Sequence, residues 1–288
     1  MSIIQPSLPG IKITSSEEIL GPNTKLAWLI WAASGFGKTT LAGSLDALTQ
    51  KYDSKRTLYI AVESAEGGGA ATIRKLGVPL YVPKDHSDLL KTIGYLRNDK
   101  SVGGVVLDSA SELFKQHIKP TTLKYPSREN SPTRAAGVLT RGDYQVAGEL
   151  VSQVFRQLML LTTHEDPAYR KHLVITATDQ SKTDDDTGRL VYAGPDLPGR
   201  MSREAVQMFQ QVSTIEIRAE VVGGKRQTRR FLVSGTDGVV SVKDRLDILP
   251  QAIPLRKIGD SDGEDLVTIW EKYWLPAVQT ASSSVTKV

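Results

Sequence analysis

The chain has 288 residues, 40% of them hydrophobic and 24% charged, with a net charge of +4 and no cysteine. This composition suits a globular protein with a sizeable core, and it excludes disulfides and zinc–thiolate sites. No apolar run reaches the roughly eighteen residues needed to cross a bilayer, and "MSIIQPSLPGIK" lacks the charged start and apolar centre of a signal peptide, so a cytoplasmic protein without membrane contact is expected.

The first 24 residues, with their Pro, Gly and Ser, read as a flexible arm. "KLAWLIWAA" (25–33) follows, a continuous apolar run suited to a buried parallel strand. It leads into "AASGFGKTT" (32–40), which departs from the phosphate-binding pattern G-x-x-x-x-G-K-[ST] only in its first position, Ala32. Such a loop wraps two phosphates with inward-pointing N–H groups, and Gly35 and Gly37 supply the open backbone this needs. Ser34, Gly35, Phe36, Gly37, Lys38, Thr39 and Thr40 are the expected nucleotide-binding stretch; Lys38 would reach the β- and γ-phosphates and Thr39 would hold Mg²⁺. A methyl at Ala32 is tolerable if its φ stays negative. "TTLAGSLDALTQ" has helical spacing, with Leu41, Leu45 and Leu48 on one face. Strand, glycine loop and helix stand in the required order; a glycine turn between unrelated elements is the disfavoured alternative.

A second strand, "TLYIAVE" (57–63), ends at Glu63 and breaks into Gly67, Gly68 and Gly69. Glu63 is the candidate general base, with Glu66 in reserve; the plain alternative is a surface glutamate capping a loop. "PLYV" (79–82) and a helix over 85–98 come next. "GGVVLDS" (103–109) is an apolar strand ending in Asp108, placed as the Mg²⁺-side carboxylate of a Walker B strand; a simple helix cap is the alternative. Helices over 109–118 and 143–163 lead to the strand "HLVITAT" (172–178). Thr176, Thr178 and Gln180 are the polar groups there that could sense a γ-phosphate, with Thr178 or Gln180 preferred. This alternation predicts a parallel sheet covered on both faces. After residue 210, "STIEIRAEVVGGKRQTRRFLVSG" reads as two strands turning at Gly223-Gly224, an antiparallel addition. His86, His117, His164 and His172 show no metal-ligand spacing.

Charge is unevenly spread. Residues 115–145 carry six cations (Lys115, Lys119, Lys124, Arg128, Arg134, Arg141) against Glu129 and Asp143, a surplus equal to that of the whole chain. "KRQTRR" (225–230) is a second basic cluster, and either could be an ordinary solvated face.

Together, "SGFGKTTLA", "YIAVESA", "VVLDS", "PDLPGR" (195–200) and "VKDR" (242–245) make the chain resemble RecA-type P-loop ATPases, in particular phage-encoded, RecA-core-only nucleotide-binding ATPases that include single-strand annealing recombinases. The resemblance implies a RecA-like α/β core over 25–250, between the arm (1–24) and a C-terminal helix with a flexible tail (251–288). It also implies ATP and Mg²⁺ as cofactors, a homo-oligomeric ring or filament, single-stranded DNA as ligand, a possible phage single-strand binding protein as partner, and host cytoplasm as location. Glu63 would be the catalytic glutamate, and Lys243 and Arg245 the pair that neutralises γ-phosphate charge in the neighbouring subunit. Two residues apart on a strand, they would share a face; an exposed basic strand end beside Asp244 or Asp247 is the alternative.

RecA-type proteins place a DNA-binding loop where residues 179–200 lie. Here 179–189 hold Asp179, Asp184, Asp185 and Asp186 against Lys182 and Arg189, which repels phosphate. The expected DNA contacts therefore move to Lys124, Arg128, Arg134 and Arg141, with Tyr125 and Tyr144 for base stacking. Two other classes share a P-loop: a small-molecule or nucleotide kinase, which Glu63 and the late Lys-x-Arg disfavour, and a non-enzymatic assembly protein using ATP as a switch, which Ala32 slightly favours.

Overall fold

The computed structural model describes residues 23–63, 68–125, 134, 136–222, 225–235, 238–257 and 262–279. The arm as far as residue 22, Glu66, Arg128 and the tail from 280 lie outside them.

Strand β1 (Ala27–Trp31) is buried along its whole length. Because side chains alternate along a strand, Leu29 and Trp31 enter one apolar cluster and Trp28 and Ile30 the other, so β1 faces two cores. The P-loop turns into α1 (Lys38–Gly43), and α2 (Leu45–Asp53) continues it. A single helix is expected here, but Ser44 divides it. Its hydroxyl donates to Leu41 O (2.6 Å) and accepts from Leu266 N (3.0 Å), tying the break to the C-terminal segment.

Next come β2 (Arg56–Ala61), α3 (Gly68–Leu76), β3 (Leu80–Tyr81) and α4 (His86–Arg97), whose N-cap Asp85 accepts from Asp88 N. β4 (Val102–Asp108) leads into α5 (110–124), which contains a π-helical stretch, Leu113–Ile118, and runs past the expected end at 118. α6 (Arg141–Met159) opens with a capping box between Thr140 and Asp143. β5 (His172–Ala177) follows.

Residues 179–195 are not an open loop. They form a two-stranded antiparallel ribbon, β6 (Asp179–Thr183) and β7 (Leu190–Pro195). The acidic run makes its turn: Asp184 accepts from Thr187 N (2.8 Å) and from the Thr187 hydroxyl (2.7 Å), and Gly188 takes a positive φ of 65°. Then come α7 (Met201–Met208), the long hairpin β8 (Gln211–Val222) and β9 (Lys225–Val233), β10 (Lys243–Asp244), β11 (Ala252–Pro254) and α8 (Leu266–Ile269).

The main sheet runs β11-β9-β8-β1-β5-β4-β2-β3, with β10 also beside β8. From β3 to β8 neighbours are parallel; β9, β10 and β11 add antiparallel pairings. One strand, β5, separates the P-loop strand from the Asp108 strand, and all three end at the same sheet edge. One core packs α4, α5 and α6 on one face through residues such as Leu89, Leu113 and Phe155. The other packs α1 and α2 through Leu41, Leu45 and Leu48, and also takes in Ile253, Trp270 and Trp274, so the chain beyond 250 continues the same sheet and core. Among the described residues no helix is long and apolar enough to cross a membrane.

Candidate active site

The carboxyl ends of β1, β2, β4 and β5 open onto a cleft of about 460 Å³ that contains the phosphate-binding loop, Glu63, Asp108 and Thr178. That size lies within the usual range for ligand pockets, roughly 300–1,000 Å³. Gly35 and Gly37 hold φ of 80° and 98°, a region that side chains resist, so both glycines are required by the loop's backbone. Ala32 is buried and outside the positive-φ residues, and its N–H donates to Ala177 O (3.2 Å) as a continuation of β1. A glycine is not needed there. Phe36 does not line the cleft; it is half-buried against the apolar cluster that holds Trp28 and Leu41.

Lys38 is nearly buried, and its Nζ donates to Ala32 O (2.6 Å) and Ala33 O (3.0 Å), across the loop it belongs to. Burial pulls its ammonium below the ordinary lysine range; Asp108, Asp179 and Glu63 oppose that pull. Asp108 is a hub for three hydroxyls. Thr39 donates to its Oδ2 (2.7 Å), Tyr59 to the same oxygen, and Thr176 to its Oδ1. Tyr59 is held well above the ordinary tyrosine range, first by burial and then by Asp108, so it stays a donor. The adjoining Ser109 is the helix cap, accepting from Glu112 N (3.2 Å), which leaves Asp108 for the cleft. The Asp108–Ser109 peptide is cis.

A methyl placed on Gly69 would lie 3.8 Å from Thr39 Oγ1, 3.9 Å from Asp108 Oδ2 and 3.9 Å from Glu63 Oε2. Three oxygens thus surround one small space, kept open by a glycine. Among the described residues no group of three or more His, Asp or Glu gathers as a metal cage. Mg²⁺ needs none, since it is usually held by one or two carboxylates together with substrate phosphates. Thr178 adds a further polar atom to the cleft: its N–H donates to Ser111 Oγ (3.0 Å), but its buried Oγ1 has no hydrogen-bond partner among the described residues. The donor set and the open space fit a nucleotide with a hard cation. Gln180 is not in the cleft; its amide donates to Pro195 O (3.1 Å) in the ribbon.

Lys243 and Arg245 are brought together, but away from the cleft. Lys243 Nζ donates to Val206 O (3.0 Å) and Gln207 O (3.2 Å), and Arg245 Nη2 to Gln207 O (2.7 Å), so both cap the C-terminal end of α7. β10 meets β8 at Val212 and Gln211, level with the start of β1 and not with its end. Asp244, between them, accepts from Gln211 Nε2 (2.5 Å) and from the N–H groups of Leu246, Ile248 and Leu249.

The four cations expected to meet DNA differ. Lys124 and Arg141 are exposed, and Arg128 lies outside the described residues. Arg134 is committed elsewhere: its guanidinium pairs with Asp143 (3.2 Å) and donates to Thr122 O (3.1 Å) and Tyr125 O (2.5 Å), joining the end of α5 to the start of α6. Sequence reasoning assigned neither Thr72 nor Arg230 to the cleft, which both line. Arg230, on β9, donates to Gly35 O (3.2 Å) although 195 positions separate them. The basic cluster "KRQTRR" was its only signal, and a charge cluster does not reveal which member points to a distant loop.

A glycine loop leading into a helix, an Asp on a nearby parallel strand and a RecA-like mixed sheet define a P-loop ATPase. Residues 24–246 match the AAA domain family, and the chain belongs to that family. Among solved structures it is similar to a KaiC-like protein of the hyperthermophilic archaeon Pyrococcus horikoshii, at 11% identity and a TM-score of 0.43, covering 81% of this chain and 85% of that one. No curated protein matches the chain.

Proposed function

We propose that this ATPase hydrolyses ATP with Mg²⁺ and couples the reaction to single-stranded DNA, in recombination or replication of the phage type. The observation that carries the chemistry is the meeting of Lys38, Thr39, Glu63, Asp108 and Thr178 around one cleft. Thr39 and Asp108 would hold the metal ion, which when bound neutralises charge on the phosphates. Lys38 would leave the Ala32 and Ala33 carbonyls for β- and γ-phosphate oxygens, and the N–H groups around Gly35 and Gly37 would hold the remaining phosphate charge. Thr178 Oγ1 would meet the γ-phosphate. Glu63 would accept the proton of a water whose oxygen attacks the γ-phosphorus as the β–γ bridging bond breaks and ADP leaves. Its carboxyl stands above the ordinary glutamate range through burial and then the nearby Asp108, which raises its basicity.

The DNA half of the proposal is supported by a groove of about 540 Å³ between α6 and the "PDLPGR" segment. Arg141, Arg156 and Arg200 line it, with Tyr144 at 43% exposure available to stack on a base; Glu149 and Glu204 are its two carboxylates. Lys243 and Arg245 remain the proposed pair for a neighbour's nucleotide, Arg245 being exposed. Turnover measured without DNA, with single-stranded DNA and with duplex DNA tests the coupling. Stimulation by single strands is expected, and equal rates in all three would remove DNA from the account.

A further inference from the structure

Arg230 stands between two cavities. Together with Gly37 and Thr40 it lines the phosphate cleft on one side, and on the other a pocket of about 190 Å³ walled by Leu41, Leu76 and Leu255. That second space is below the usual size for a whole ligand, roughly 300–1,000 Å³, but it shares Gly37, Thr40 and Arg230 with the first. Its outer wall is built by strand pairing: Leu255 N donates to Arg230 O (2.9 Å), Arg256 N to Glu264 O (2.8 Å) and Glu264 N to Pro254 O (2.8 Å). These wall residues lie beyond the stretch matched to the family, which ends at 246.

Among the described residues the guanidinium donates to a neutral acceptor, Gly35 O, and has no carboxylate partner. The small pocket's two carboxylates are paired with other cations, Asp265 with Arg256 (3.0 Å) and Glu264 with Lys272. Arg230 Nη1 also hovers over Gly37, 3.1 Å from where a Cβ would be, directly above the turn that receives phosphate. A planar fork of donors without an anion, set over a phosphate loop, is suited to a phosphate oxygen.

We propose that Arg230 contacts the bound nucleotide from its own chain where polyphosphate joins nucleoside, and that the nucleoside occupies the pocket closed by the segment 252–257 and Glu264. This inference rests on the P-loop reading and deepens it. Residence of the phosphates in one cavity and the nucleoside in the other would let the C-terminal segment, outside the family match, set which base is accepted.

The test measures equilibrium binding of ATP and of inorganic tripolyphosphate to the full chain and to three single variants. Arg230→Gln is expected to weaken both ligands by about 10- to 100-fold, as removal of a charge-assisted hydrogen bond does, with Arg230→Lys in between. Leu76→Trp, which fills the pocket, is expected to weaken ATP by about 10-fold or more and to leave tripolyphosphate unchanged; the retained tripolyphosphate binding shows that the variant is folded. Unchanged affinities in Arg230→Gln overturn the role of Arg230. Equal losses of both ligands, or of neither, in Leu76→Trp overturn the pocket. Lys38→Ala separates the two levels: if it binds ATP as tightly as the unaltered chain, or if that chain binds neither ligand, the P-loop reading itself fails.

Discussion

Glu63 lines the cleft, and partial loss of water around its carboxyl, then the negative Asp108, push it up against the pull of Lys38 and Lys115. A base must be unprotonated to work, so turnover should fall on the acid side as Glu63 takes up a proton. Glu63→Gln should keep ATP binding while slowing hydrolysis by about two orders of magnitude or more, and should abolish that acid limb. A pH–rate profile of the unaltered chain and the variant checks both. Arg134 makes the opposite kind of prediction. Because its donors hold Asp143 and two carbonyls in a largely buried setting, Arg134→Ala should cost roughly 1.5–3 kcal/mol of stability. Thermal unfolding of Arg134→Ala, Asp143→Ala and the double variant measures it; additive losses would show that the pair is not coupled.

At the scale of elements, the sequence exposes most clearly what obeys local rules. β1, β2, β4 and β5 are short apolar runs with sharp polar ends, and the residues at those ends, Gly37, Lys38, Thr39, Glu63, Asp108 and Thr178, lie in the cleft together because parallel strands finish at one edge. What depends on side chains meeting far apart in sequence was not legible. The aspartates of 184–186 look like a repulsive loop, yet Asp184 spends its acceptors on building the β6–β7 turn. Arg134 looks like a surface cation until α5 and α6 are seen to share it. Arg230 is anonymous within its cluster because the reach of β9 to the P-loop is set by the order β9-β8-β1 of the sheet, which no local spacing encodes. The α6 groove yields its own test. If single strands lie along it, Arg141→Gln with Arg156→Gln should reduce the slope of log affinity against log salt by about 1.4, near 0.7 for each phosphate of a single strand that is no longer neutralised. An unchanged slope would place the strand elsewhere.

At the scale of the whole molecule, one sheet carries both the cleft and the antiparallel addition, with apolar cores on its two faces. Lys243 and Arg245 sit at the end of α7 and outside the cleft of their own chain, so a catalytic part for them requires a second subunit. Arg245→Ala should then bind ATP yet lose roughly 10³-fold or more in hydrolysis, the scale of an arginine supplied in trans. Mixing it with Lys38→Ala chains should return part of the turnover, since some interfaces would join an intact loop to an intact arginine. If mixed oligomers form and no ratio restores activity, Arg245 serves only as a helix cap.

The central claim is that the cleft at the ends of β1, β2, β4 and β5 binds and hydrolyses ATP through its loop lysine and a Mg²⁺ held by Thr39 and Asp108. Phosphate release from ATP, measured with Mg²⁺ and with a chelator, for the unaltered chain and for Lys38→Ala, tests it most directly. Turnover should need Mg²⁺ and vanish in Lys38→Ala while thermal unfolding shows that variant folded; a turnover rate unchanged by the substitution would contradict the account.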